Sequence, residues 1–320
     1  MKIAILDDYT SVALSSADWT PLSAHEITVF TTHIADESTL VSALEQFDII
    51  CLMRERTPFP RSLFARLKNL KLLVTTGLRN LSIDLAAASE FNVVVSGTSS
   101  GGNSTVEHTW ALILALARNI PASVSSLHQD HTSWQSGRLP TGLSGKTLGL
   151  YGLGNLGSKI ARIATAFGMQ VIAHSPNLTQ AQCDIVNATL VTKQDLLAKS
   201  DFLSIHVVLS PRSVNAITAV DIATMKPSAF LINTSRGPIV NEQDLVTALE
   251  NNIIAGAALD VFSTEPIPHD SNLRSLPTHK LILTPHIGYV SDESYAVFYS
   301  HTVDNIVNFI AHSPVRVLNS

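Results

Sequence analysis

Midway along the 320-residue chain, the run TLGLYGLGNLGSKIARIATAFGMQVIAHS places Gly152, Gly154 and Gly157 in G-x-G-x-x-G spacing between two apolar strand-like stretches. Strand, glycine turn, helix and second strand together form the βαβ unit whose turn receives a dinucleotide pyrophosphate. Gly152 permits the tight turn, Gly154 lets the pyrophosphate approach the backbone, and Gly157 lets the helix pack closely on the strand. The helix start at Asn155 and Leu156 offers free N–H groups and the positive end of the helix dipole. Leu156, Ile160, Ile163 and Phe167 are expected to form the apolar stripe facing the sheet, with Gly168 ending the helix.

A fingerprint in mid-chain leaves the residues before it to form a domain of their own, and 320 residues suit two domains of ordinary size. The first hundred residues alternate short runs, KIAIL, ITVF, DIICLM, KLLVTT and VVVS, with helical patterns such as ESTLVSALEQF and PRSLFARLKNL. That alternation predicts a parallel, helix-covered sheet. Ser104 and Glu107 then stand at capping-box spacing before the apolar helix TWALILALA, whose composition predicts burial. After a loop around TSWQSGRLPTG, a second series continues through QVIAHS, DFLSIHVVL, AFLINTS, IAGAALDVF and KLILTPHIG. The last segment places Tyr295, Tyr299, Val303, Ile306 and Ile310 on one face of a helix, which could pack back on the first domain.

The formal net charge of −5, without a dense Lys/Arg run, argues against nucleic acid or an anionic membrane as partner. Two cysteines, Cys51 and Cys183, make neither a disulfide framework nor a metal cluster. The apolar part of the N-terminus is too short for a signal peptide, and TWALILALA falls short of a spanning helix, so the cytoplasm is expected. A nucleophile elbow and a histidine pair at ligand spacing are both missing, which disfavours serine- and metal-hydrolase chemistry.

The strand after the glycine turn usually ends in an acid that bonds the adenine ribose and repels a 2′-phosphate. Here His174, Ser175, Pro176 and Asn177 stand there, and no arginine follows before Lys193. The choice between NAD and NADP stays open on these residues.

Three more strand ends carry polar residues that could converge on the cofactor's nicotinamide end: Arg236 in LINTSRGPIV, Glu265 in AALDVFSTEP and His286 in LILTPHIGY. Ligands in parallel sheets bind beyond the strands' carboxyl ends. A proton donor beside a hydride acceptor should titrate near neutral pH, which histidine does. A carboxylate beside the imidazole stabilises its charged form and raises its pKa. Arginine holds a carboxylate through a planar pair of donors.

These segments, with the glycine turn, resemble the D-isomer-specific 2-hydroxyacid dehydrogenase family over nearly the whole chain. The resemblance implies an α/β fold of two Rossmann/flavodoxin-like domains with parallel sheets. The NAD(P)-binding Rossmann domain, residues 104–292, is inserted into a discontinuous substrate domain, residues 1–103 and 293–320. It implies His286 as proton donor, Glu265 as its acid partner and Arg236 as the substrate-binding arginine. Cofactor contacts fall on Thr76, Gly152, Gly154, Asn155, Leu156, Gly157, Ser175, Val207, Thr234 and Asp260, the last holding the nicotinamide carboxamide. In the first domain, MRERTPF and VTTGLRN resemble substrate-facing loops, in which Arg54 reaches an anionic part of the substrate and Thr76 and Gly77 offer backbone N–H groups to its carboxylate. Leu78, Arg79 and Asn80 depart from the family's wording, as does Val208 in HVVLS, where a proline is common. A homodimer with the TWALILALA region near the subunit contact is implied. The expected activity is NAD(P)-dependent oxidoreduction between a 2-oxo acid and a D-2-hydroxy acid. An NADPH-preferring glyoxylate or hydroxypyruvate reductase and a non-enzymatic dinucleotide-sensing protein of the same fold are the alternatives.

Overall fold

The computed structural model describes residues 1–128, 134 and 138–319, so residues 132, 133 and 135–137 of the expected TSWQSGRLPTG loop lie outside the described residues. The chain divides into two compact units, Met1–Gly102 with Val290–Ser320, and Asn103–Tyr289.

In the first unit, β1 (Lys2–Ile5), β2 (Glu26–Val29), β3 (Ile49–Leu52), β4 (Leu72–Thr75) and β5 (Val94–Gly97) form a parallel sheet in the order β2-β1-β3-β4-β5. This is the flavodoxin-like order, with its switch point between β1 and β3. β3 and β4 are buried along their whole length, as apolar runs under helices on both faces require. Asp36 and Asp84 accept hydrogen bonds from Thr39 N and Ala87 N and so start the helices Glu37–Leu44 and Leu85–Glu90. The final helix, Asp292–Ile310, belongs to this unit. It buries Tyr299, Val303 and Ile306, and Asn305 Nδ2 donates to Gly97 O at 2.9 Å.

In the second unit, β6 (Thr147–Tyr151), β7 (Gln170–His174), β8 (Thr189–Leu190), β9 (Phe202–Ile205), β10 (Phe230–Asn233), β11 (Gly256–Leu259) and β12 (Leu281–Leu283) lie in the order β12-β11-β10-β9-β6-β7-β8, all parallel. This is the Rossmann order extended by one strand, with the switch point between β6 and β9. Only the two-residue β8 leaves no mark in the apolar pattern.

Two local expectations are corrected. The helix Ser104–Arg118 has Asn103 as its N-cap, and Ser104 is already its first helical residue, so the Ser104–Glu107 capping box does not form. On the helix Asn155–Ala166, the buried face is Gly157, Ile160, Ala161 and Ala164, whereas Leu156 and Ile163 are exposed. Small residues let this helix lie close to the sheet. Phe167 turns instead to Trp110, with ring centroids 4.9 Å apart. The helix Ser104–Arg118 buries Trp110, Leu112, Ile113 and Leu116 within its own unit, which accounts for its apolar composition.

Candidate active site

At the end of β6, Gly152 has φ +107°, and a Cβ there would fall 2.7 Å from the His206 carbonyl carbon at the start of the β9 loop. The two strands at the switch point therefore meet backbone to backbone. A Cβ on Gly157 would come within 2.5 Å of Gly152 O, whereas one on Gly154 would meet nothing within 4 Å. Gly154 is also the N-cap of the helix Asn155–Ala166, so no side chain caps it. An open cradle before uncapped N–H groups fits a pyrophosphate. Burial pushes the His206 imidazole down to about 4, so at neutral pH the β9 side of this turn is uncharged.

At the adenine end, His174 Nδ1 lies 3.0 Å from Val191 O, so this nitrogen donates, and the ring stacks against Tyr151. Ser175 O accepts from Leu178 N and closes a turn. Lys193, the first cation after Ser175, is held by Asp221 and by Ala216 O, each at 2.7 Å.

The carboxyl ends of β9, β10, β11 and β12 continue the crevice. β6 and β12 stand four strand spacings apart, about 19 Å. Behind β9, Val207 O accepts from Ser235 Oγ at 2.6 Å. Behind β10, Asn233 takes Ser235 N on its Oδ1 and gives its Nδ2 to Arg236 O, folding the chain back so that Arg236 stands at the sheet edge. Arg236 Nη1 donates to Ser235 O at 2.8 Å. Thr234, expected at the cofactor, is buried with its hydroxyl 2.8 Å from that of Thr109. Gly237 was not singled out in the sequence. A Cβ there would lie 2.0 Å from the Phe262 carbonyl carbon, so the Arg236 loop and the Glu265 loop pack without side chains between them.

His286 Nδ1 and Glu265 Oε2 are 2.5 Å apart, with side chains 13% and 22% exposed, so the pair keeps a path to solvent. Glu265 Oε1 accepts from Phe262 N at 2.9 Å, which fixes the carboxylate plane. His286 has φ +52°, the left-handed region that bulky residues seldom adopt. Its ring meets Tyr289 edge-on at 5.4 Å.

Asp260, at 1% exposure, is tied to the loop that carries His286. Its Oδ1 accepts from Thr284 Oγ1 at 2.6 Å and Ile287 N at 2.9 Å, its Oδ2 from Gly288 N at 2.8 Å, and His108 Nε2 lies 3.2 Å from Oδ1. Burial works to raise the carboxyl's pKa, but the hydrogen bonds from His108 and Thr284, the charge of His108 and the Ile287 amide outweigh it, and the pKa falls below the ordinary value. Asp260 is thus an ionised carboxylate that fastens both flanks of His286.

In the first unit, the turn after β4 departs from expectation. Thr76 N donates to Leu52 O at 3.2 Å and Gly77 N to Thr98 Oγ1 at 2.9 Å, so neither amide is available to a substrate carboxylate. The strand ladder and a threonine 21 residues on have taken them. Arg54, at φ +54°, gives its amide to Thr76 Oγ1 at 2.8 Å, and its guanidinium lies over Gly77, donating to Thr76 O at 3.4 Å. Asn80 holds that strained residue by donating to Arg54 O at 2.7 Å, a role for one of the departures from the family wording.

A cavity of about 490 Å³ lies behind the Glu265 loop, walled by Glu242, Phe262, Ser263, Thr264 and Asp270, and Arg236, Glu265 and His286 do not line it. Its two acids, Glu242 and Asp270, make it a poor site for an anion.

Residues 110–288 match the NAD binding domain of the D-isomer specific 2-hydroxyacid dehydrogenases. A hydroxypyruvate reductase from Blautia hydrogenotrophica is 32% identical over 100% of both chains. A D-3-phosphoglycerate dehydrogenase from Synechocystis is 34% identical over 88% of this chain, which spans 50% of that protein's length. The crystal structure of a phosphoglycerate oxidoreductase from Vibrio cholerae superposes with a TM-score of 0.91 at 34% identity, covering 98% of this chain and 99% of that one.

Proposed function

The chain belongs to the D-isomer-specific 2-hydroxyacid dehydrogenase family, and we propose that it reduces a 2-oxo acid to a D-2-hydroxy acid with a nicotinamide dinucleotide. The observation that carries this reading is the His286–Glu265 pair at 2.5 Å, on the strands next to Arg236. Gly152, Gly154 and Gly157, with the amides of Asn155 and Leu156, would hold the pyrophosphate. Ser175 and Val207 would flank the rest of the dinucleotide. When bound in reduced form, the cofactor supplies the hydride.

The chain's own residues do the rest. A carboxylate only accepts, so the Glu265 contact commits a proton to Nδ1 of His286, and the proton passed to the substrate's carbonyl oxygen leaves from Nε2. Glu265 thereby fixes the tautomer and orientation of the ring. Arg236 binds the substrate carboxylate and polarises the carbonyl. In the first unit, Arg54 would meet an anionic group of the substrate. Among the described residues, the amides of Leu78 and Arg79 donate to no protein acceptor, so we assign them the carboxylate role first given to Thr76 and Gly77.

For the cofactor we propose NAD. The first cation after Ser175, Lys193, is held by Asp221, so a 2′-phosphate would meet no available charge between Ser175 and Lys193. Ile120, Val124 and Leu127 form an exposed apolar stripe on the helix Ile120–His128, and we place a homodimer contact there.

The test is oxidation of NADH and NADPH in parallel, with hydroxypyruvate first and then glyoxylate, pyruvate and bulkier 2-oxo acids. Turnover favouring NADH is expected. Binding of either cofactor without turnover of any acid would replace this reading with that of a dinucleotide sensor.

A further inference from the structure

His108 lies on the buried helix Ser104–Arg118, one residue past Glu107 and 176 residues before Thr284. Its Nε2 is 3.0 Å from Thr284 Oγ1 and 3.2 Å from Asp260 Oδ1. The hydrogen inventory settles which atom donates. Thr284 has one hydroxyl proton, and it goes to Asp260 Oδ1 at 2.6 Å; an ionised carboxylate has none to give. His108 Nε2 must therefore carry a proton and donate into the cluster.

The consequence lies on either side of His286. Thr284 stands two residues before it, Ile287 and Gly288 directly after, and all three bond to Asp260. A Cβ on Gly288 would meet Asp260 Oδ2 at 2.8 Å and sit 3.7 Å from His108 Cδ2, so the loop is packed against the cluster. A left-handed φ at a residue such as His286 is strained and persists only where the surroundings over-determine it. Asp260 and Thr284 lie on the loops after β11 and β12, whereas His108 is on the helix. The backbones of Asp260 and Thr284 still continue the sheet ladder, donating to Asn233 O and Leu259 O at 3.0 Å each, and His108 adds the tie from their side chains to the helix.

We propose that His108 is a positioning residue that acts through Asp260 and Thr284, holding the His286 ring against Glu265 without touching substrate or cofactor. The idea rests on the reading of His286 as proton donor, but its test has a readout independent of turnover. A short imidazole N–H to carboxylate bond gives a proton NMR signal far downfield, and the signal missing in His286→Ala is the one to follow.

The experiment compares the wild-type protein with His108→Leu, which keeps bulk, and His108→Gln, whose amide reaches about as far as Nε2. Expected in His108→Leu is loss of the downfield signal and a fall in kcat of about tenfold to a hundredfold, the scale of a misplaced catalytic group. NADH affinity from fluorescence quenching should hold. His108→Gln should restore both signal and kcat. If His108→Leu melts earlier but keeps signal and kcat, or if His108→Gln fails as badly as His108→Leu, the positioning role is wrong and His108 is packing alone. If the wild-type protein turns over no 2-oxo acid, the proposed reaction falls, and the signal in the three proteins still decides the role of His108.

Discussion

Among the described residues, three histidine–carboxylate pairs stand at the carboxyl ends of the two sheets, and one of them keeps its carboxylate open. In the first unit, His33 Nδ1 lies 3.0 Å from Asp7, whose carboxylate is 2% exposed and also accepts from Tyr9 and from Thr57 at 2.7 Å. In the second, Asp260 is 1% exposed beside His108 and is held by Thr284, Ile287 and Gly288. Glu265, at 22% exposure, accepts from one backbone amide besides His286. The same two residue types thus serve as a fastener where the carboxylate is buried under several donors, and are suited to an acid pair where the carboxylate stays open.

The sharpest way to break that comparison is to remove the imidazole paired with the more open carboxylate. His286→Ala should lower kcat about 10²–10⁴-fold, the usual contribution of a positioned acid, while NADH still binds in a fluorescence titration. A loss under threefold would place proton delivery elsewhere. The next effect concerns stability. Gly237→Ala drives a methyl into the Phe262 carbonyl at 2.0 Å, and in urea unfolding it should cost more than about 3 kcal/mol, above the typical point mutation. A smaller cost would mean that the Arg236 and Glu265 loops can part.

Sequence carried the strands and set Arg236, Glu265 and His286 beyond the ends of β10, β11 and β12, because apolar runs bounded by polar turns leave little choice of register. It failed where the deciding partner is remote or small. The close-packed face of the helix Asn155–Ala166 uses Gly157, Ala161 and Ala164, which rank below leucine on any apolar scale yet let the backbone approach. The amide of Gly77 is taken by Thr98, and His108 meets Thr284 across 176 residues. Nothing local announces either contact.

Two smaller effects sharpen the contrast between fastener and acid pair. Asp7→Ala leaves Thr57 and His33 without their acceptor and should cost about 1–3 kcal/mol in thermal or urea unfolding. The pH–rate profile of the surviving folded protein should keep its shape, and a displaced limb would mean that Asp7 is coupled to the chemistry. His206 titrates near 4 when folded and about 6.5 when unfolded, a depressed value, so as pH falls through this window the unfolded chain takes the proton first. Stability should drop by about 2 kcal/mol between pH 7 and pH 5 from this group. His206→Gln should flatten that part of the profile, and an unchanged slope would assign it to other groups.

The central claim, that the Glu265–His286 pair delivers the proton to the carbonyl oxygen, is tested most directly by kcat for 2-oxo acid reduction in wild type and Glu265→Gln, with NADH affinity followed by fluorescence. An amide in place of the carboxylate no longer commits the proton to Nδ1 of His286, so kcat should fall about tenfold to a hundredfold while NADH affinity holds. An unchanged kcat in Glu265→Gln would contradict the account.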